Sequence, residues 1–379
     1  MIYLDYVSTT PLRKEILETY NNLLNKYFAN ADSMHSLGFE VNTLMEKSRS
    51  LIADLLHVKE TELFFPSGAS ESNNTAIKGC AFAYANRGKH IITSSIEHSS
   101  VYNAFVQLRD VFGFEVDFIS VDEHGKLDLK ELEDKIREDT ILVSTMYVNN
   151  EVGTINPIQE ISKIIKNKNP KTKFHVDMVQ ALGKIPVDLS CVNLASFSAH
   201  KIYGLKGSGL LYKDSATQLV PLISGGQQET GLRGGTSNAP VNIVLAKTIR
   251  LALEDFDYKY NYVKSLNEYL RKYLESRDDI VINTPKDHTS PYILNFSPLG
   301  YKPEVLVHDL ESMGCFISTK STCSSKKNDI SRTLKAMNID PYIAGSALRI
   351  SFSHMTTKDE IDEFIQALSI SLERIKKQR

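Results

Sequence analysis

The chain has 379 residues, with 44 Lys plus Arg against 46 Asp plus Glu. That balance excludes a protein that coats nucleic acid through bulk positive charge, and the length gives roughly two or three domains with a large core. A 42% hydrophobic and 24% charged composition excludes disorder, no apolar run reaches membrane-spanning length, and four cysteines without C-x-x-C exclude a disulfide scaffold.

The opening Met1–Asp5 has no basic stretch leading into an apolar one, so no secretory signal is expected and the chain reads as a reduced cytoplasmic protein. From 62 to 213, β-rich runs alternate with amphipathic ones. The predicted strands are Glu62–Pro66, His90–Ser95, Glu115–Ser120, Thr140–Val148, Lys173–Val179, Leu194–His200 and Gly207–Lys213. Helical patterns lie at Ser70–Tyr84, Val101–Phe112 and Ile158–Lys166. Such alternation predicts an α/β fold with a seven-stranded, mostly parallel sheet. The last three strands lie too close together for helical crossovers, which predicts an antiparallel portion.

Past the glycine-rich Ser224–Gly235, one long helical pattern runs over 239–275. A smaller C-terminal α+β unit follows, with strands at Tyr292–Phe296, Cys315–Ser318 and Ala347–Ser353 and helices at Pro303–Met313 and Ser331–Met337. The terminal helix, 358–377, begins acidic and ends basic, as the helix dipole favours. The expected division is a large domain at 15–255 and a small one from 1–14 and 256–379, carrying a polar loop at about 318–329.

Three segments carry chemistry where open α/β sheets bind ligands, beyond strand ends. Ser67–Asn74 joins small residues to a helix N-terminus, a cradle for phosphate or, taken alone, an ordinary serine cap. Asp177 inside an apolar strand needs a cation or donor to be buried, and Lys201, after Ser198 and His200, is placed to act as an amine nucleophile. Together they suit pyridoxal phosphate, with lysine for the Schiff base, carboxylate for the ring nitrogen, and hydroxyl and imidazole for the phosphate. The third segment, Ser318–Asp329, is polar apart from Cys323, whose thiol beside Lys320 and Lys326 is biased toward thiolate. Cys80 and Cys315 read as packing residues and Cys191 as a turn residue. No H-E-x-x-H or other metal-ligand spacing occurs.

These segments resemble, in order, those of the bacterial pyridoxal-phosphate cysteine desulfurases of fold-type I. Tyr3–Pro11 is similar to that family's Y-L-D-N-A-A-T-T-P opening and Ser67–Asn74 to its phosphate loop. Ile96-Glu97-His98, Asn149–Thr154, Ser198–Gly204, Leu232–Thr236 and Ala347–Ser351 also have counterparts. Val7-Ser8 stands where the family has Ala-Ala, and Ser70 where it has Thr.

The resemblance implies a site. Lys201 would join the cofactor aldehyde and take the substrate Cα proton, and His98 would stack on the ring and share in proton transfer. Asp177 would pair with the ring nitrogen and Gln180 with the phenolic oxygen. Ala69, Ser70, Ser198 and His200 would hold the phosphate, with Thr236 reaching across from the second subunit of a homodimer. Asn150 and Arg349 would grip the substrate carboxylate. Cys323 would attack the sulfur of L-cysteine, leave as a persulfide with release of alanine, and hand sulfur to an acceptor such as an iron–sulfur scaffold or a tRNA-thiolation enzyme. A selenocysteine lyase, another lyase or transaminase on the same fold, and a non-catalytic docking homologue stay open as alternatives.

Overall fold

The computed structural model describes residues 1–319 and 330–375. In chain order the strands are β1 (Ile2–Tyr3), β2 (Leu63–Phe64), β3 (His90–Ser94), β4 (Glu115–Ile119), β5 (Thr140–Met146), β6 (Lys173–Asp177), β7 (Leu194–Ser198), β8 (Gly209–Lys213), β9 (Ile280–Ile282), β10 (Ile293–Pro298), β11 (Cys315–Phe316) and β12 (Leu348–Ser351). The helices are α1 (Lys14–Lys26), α2 (Ser36–Leu56), α3 (Ala69–Tyr84), α4 (Ser99–Phe112), α5 (Leu129–Lys135), α6 (Ile158–Lys168), α7 (Ala239–Leu253), α8 (Phe256–Glu275), α9 (Pro303–Ser312), α10 (Arg332–Ala336), α11 (Pro341–Ala344) and α12 (Lys358–Arg374).

The main sheet has the order β2-β8-β7-β6-β5-β3-β4, seven strands in an α/β arrangement as the alternating pattern predicts. Every residue of β3, β5 and β7 is buried, because helices cover both faces of a parallel sheet and leave no solvent side. Of the closely spaced last three strands only β8 is reversed. It runs antiparallel to β7 and to β2, whereas β6 and β7 are parallel. Residues 178–193 cross over as a chain of turns, so close spacing did not require a reversal there.

The pattern over 239–275 is two helices. Glu254 is extended and Asp255 is left-handed at φ 50°, a conformation that Asp tolerates better than most residues. The Lys259 ammonium closes the break by donating to the carbonyls of Leu251 (2.9 Å) and Glu254. No Gly or Pro marks the position, so periodicity alone ran through it.

Two smaller sheets complete the fold. β9, β10 and β12 form an antiparallel sheet in the order β12-β10-β9, and β1 pairs in parallel with β11. The N-terminal segment therefore belongs with C-terminal strands, and a further bridge joins Asp5 to Ser351. Helices α1 and α2 went unread, although Ile16 and Leu23, and then Val41, Met45, Ile52 and Leu56, repeat at helical spacing and are buried. α12 stops at Arg374 and starts on a capping box between Thr357 and Glu360.

Candidate active site

The parallel strands point their carboxyl ends the same way, and the chain emerging from them builds one cavity of about 450 Å³. Ser67–Glu71 follows β2, His98 follows β3, Asn150 follows β5, Asp177 ends β6, and Ser198, His200 and Lys201 follow β7. Gln180, Lys206, Gly207, Val7, Ser8 and Arg349 also line it. A residue other than glycine at 209 would place its Cβ 2.6 Å from the Gly68 Cα, so β8 can lie against the 67–70 loop only as glycine there.

At one part of the wall α3 begins on Gly68, which offers no side-chain cap. The first N–H groups of a sixteen-residue helix thus face the cavity beside Ser70, Ser198 and His200. His200 places Nδ1 3.1 Å from the Thr9 hydroxyl. Burial, reinforced by Lys201, Lys206 and Lys184, holds its imidazole down to about 4, so it is neutral at physiological pH.

Asp177 is 6% exposed and its carboxylate is fully tethered. Oδ1 accepts from the Val179 amide (3.0 Å) and Oδ2 from the Asn73 side chain (2.9 Å). Asn73 is wholly buried and spends its second N–H on the Ser100 hydroxyl (2.9 Å). Ser100 in turn sits 2.8 Å from His98 Nδ1, which also accepts the Ser100 amide at 3.2 Å. An Nδ1 that accepts an amide places the neutral imidazole's proton on Nε2. Burial lowers the His98 pKa; Asp177 opposes that, and Lys201 and Arg332 add to it. Asn73 therefore joins the carboxylate to the imidazole, a link that sequence reading reduced to helix capping.

Lys201 ends a short 3₁₀ turn, Ala199–Lys201, and donates to the carbonyls of Val7 and Ser8, each at 2.7 Å. Two residues on, Tyr203 is left-handed at φ 67°. Gln180 shares the Val7 carbonyl through Nε2 (3.2 Å). Behind Asp177 a buried polar ladder runs from Ser144 through His175 to Ser196 and Ser72, at 2.7, 3.0 and 2.8 Å, and pins α3 to the sheet. It lies on strand faces and carried no sequence signal beyond isolated polar residues in apolar runs.

Arg349 is 1% exposed, on β12. Its guanidinium reaches Asp5 (3.0 Å), the Ser8 hydroxyl (2.9 Å) and the Asn150 carbonyl (2.9 Å), while Nε has no hydrogen-bond partner among the described residues. Arg349 and Asn150 are thus brought together. Thr236 is not: it is exposed and does not line this chain's cavity. Cys323 and the 320–329 stretch lie outside the described residues. Cys80 and Cys315 are buried, and burial pushes the Cys80 thiol up to about 12, so it is inert.

The donor set fits pyridoxal phosphate: a helix N-terminus with hydroxyls and a neutral imidazole for phosphate, a tethered carboxylate for the ring nitrogen, and an amine. Among the described residues no cluster of His, Cys, Asp or Glu is placed to hold a metal ion, and no helix is long and apolar enough to cross a membrane.

Comparison with known proteins agrees in kind. The family described as Aminotransferase class-V matches residues 2–364. The NifS/IcsS protein homolog of Lactobacillus delbrueckii subsp. bulgaricus is 46% identical over 371 residues, covering 97% of this chain and 96% of that protein. The Cysteine desulfurase IscS of Dictyoglomus turgidum is 40% identical over 378 residues, covering 99% and 95%. A solved NifS-like protein superposes with a TM-score of 0.93 at 36% identity, covering 99% of this chain and all of that one.

Proposed function

This chain belongs to the aminotransferase class-V family, and from that premise we propose that it is a cysteine desulfurase, a pyridoxal-phosphate enzyme converting L-cysteine to alanine. The observation that carries the reading is the convergence of Lys201, Asp177, His98 and Arg349 on one cavity beside the N-terminus of α3. When bound there, the cofactor withdraws electrons from the substrate Cα.

Each residue has a task. Lys201 is the amine that anchors the cofactor and later moves the Cα proton, with His98 presenting Nε2–H alongside. Asp177, held immobile by Asn73 and the Val179 amide, pairs with the ring nitrogen. Ala69, Ser70, Ser198 and His200 hold the phosphate and Gln180 the phenolic oxygen. Arg349 and Asn150 take the substrate carboxylate, a planar bidentate fit for a guanidinium. The Cys323 thiolate attacks the substrate sulfur; that S–S bond forms as the C–S bond breaks, the carbon takes a proton, and alanine leaves while Cys323 keeps the persulfide. A sulfur-acceptor protein, an iron–sulfur scaffold or a tRNA-thiolation enzyme, then removes it in the cytoplasm.

A homodimer completes the site. Thr236 is exposed at the rim, and Phe28, Met34 and Phe39 present large apolar surface to solvent, which supports a covering partner that lends Thr236 to the neighbouring phosphate. The division into 15–255 and 1–14 plus 256–379 is part of this reading, supported by their separate sheets.

Borohydride reduction followed by peptide mapping tests it: the cofactor adduct should sit on Lys201, and L-cysteine should yield alanine and sulfide. Cys323→Ser should end sulfur transfer. Absence of an adduct at Lys201 in cofactor-loaded protein overturns the reading.

A further inference from the structure

Lys184 is a lysine that sequence reading did not single out, and it is 7% exposed. It lies in the turns after β6, where the amides of Ala181 and Leu182 return to Met178 and those of Lys184 and Ile185 to Ala181. These helix-like turns put Gln180 and Lys184 on one face, four residues apart. Gly183, at φ 69°, lets the turn close against α7: a Cβ there would meet the Ala252 Cβ at 2.9 Å.

The Lys184 ammonium donates to Gln180 Oε1 at 2.7 Å, and among the described residues its side chain makes no other hydrogen bond. A buried cation with one neutral partner is costly. The charged groups acting on it, Lys201 and Arg349, are both cations, and with burial they lower its pKa to about 7. Arg349 itself is paired with Asp5. The charged groups that act on Lys184 are thus cations that line the cavity where the ligand is taken.

The contact also decides which way Gln180 faces. With Oε1 held by an ammonium, which can only donate, the amide must turn Nε2 toward Val7 and the cavity. We propose that Lys184 is a positioning residue for the cofactor: it locks the Gln180 amide so that Nε2–H is offered to the anionic ring oxygen, and that oxygen balances its charge. This rests on the cofactor assignment above. Loading adds an anion to the cavity, which favours the charged form of Lys184.

The test uses full-length protein loaded with pyridoxal phosphate, with two readouts other than turnover. One is the midpoint pH of the bound cofactor's absorbance change; the other is cofactor retention on dialysis. Removing a nearby cation makes protonation of the bound cofactor easier, so Lys184→Met should raise the midpoint by roughly one pH unit and weaken retention about tenfold. Lys184→Arg should stay near the parent. In a Gln180→Ala background the Lys184→Met shift should shrink, because the intermediary is gone. If Lys184→Met does not fold, Lys184→Gln keeps an amide donor without charge and should still raise the midpoint. Parent-like midpoint and retention in a folded, uncharged variant overturn the proposal, as does an undiminished shift without Gln180. Parent protein that retains no cofactor would instead sink the functional reading itself.

Discussion

The floor of the cavity and its glycine-rich rim are built on opposite terms. On the floor, Asp177, Asn73, Ser100 and His98 are joined by hydrogen bonds within one chain, on strand ends and helix starts. At the rim, residues 222–227 are exposed, and Glu229 and Thr230 take left-handed backbone at φ 47° and 55°. A β-branched residue there is strained. The rim stays in place because Glu229 pairs with Arg49 (3.0 Å) and accepts the Phe65 amide (3.1 Å), and because Arg233 pairs with Glu71 (3.0 Å) at the start of α3. A finished floor binds and orients without outside help. The strained, exposed rim is where our reading seats a partner subunit, with Thr236 belonging to a neighbour's site.

Substitutions should separate the two regions. Lys201→Ala removes the anchoring amine and should lower alanine formation by roughly 10³-fold or more with the fold intact by circular dichroism. Asp177→Ala should cost about 100-fold in kcat/KM, the loss of one preorganised charge. Asn73→Ala unties that charge and the imidazole together and should cost roughly tenfold, about 1.4 kcal/mol. Unlike a loss of bulk, this should also move the acid limb of the pH–rate profile.

Beneath the floor, His175 gives a pH signature of stability. Burial holds it to about 3, whereas the unfolded chain takes up that proton near 6.5. Between those values the unfolded state binds more protons, so stability falls as pH drops through the window, by up to about 1.4 kcal/mol per pH unit from this group. Glu97, raised to about 8 by burial, acts in the opposite sense, so the informative quantity is the difference between parent and His175→Gln. Urea unfolding at several pH values should show a shallower acid loss in the variant. At the rim, Thr230→Gly relieves left-handed strain and should stabilise by about 0.5 kcal/mol, read from the urea midpoint. If it destabilises instead, the rim is not strained and the contrast with the floor fails.

The α/β class, the positions of the main strands and the segments bearing Lys201 and Asp177 were legible because alternation of apolar runs and short polar motifs are local properties, while those bearing His98 and Arg349 stood out through the family resemblance. The break at Asp255 was not, since a single left-handed residue leaves helical periodicity undisturbed on both sides. The two-residue strands β1 and β11 pair across more than three hundred residues, and that pairing, with the Asp5–Ser351 bridge to β12, brings Asp5 and Ser8 to the Arg349 guanidinium. Asn73 and His175 read as a capping residue and a strand residue, and Lys184 carried no signal at all, until their neighbours were known.

The order of residues alone determined which side chains were available for chemistry and on what kind of element each would sit. Tertiary structure decided which of them meet, in what tautomer or amide orientation, and with which charges unbalanced. Those depend on distances of about 3 Å between atoms far apart along the chain, and burial makes each such distance decisive by removing the water that would otherwise screen or replace the contact.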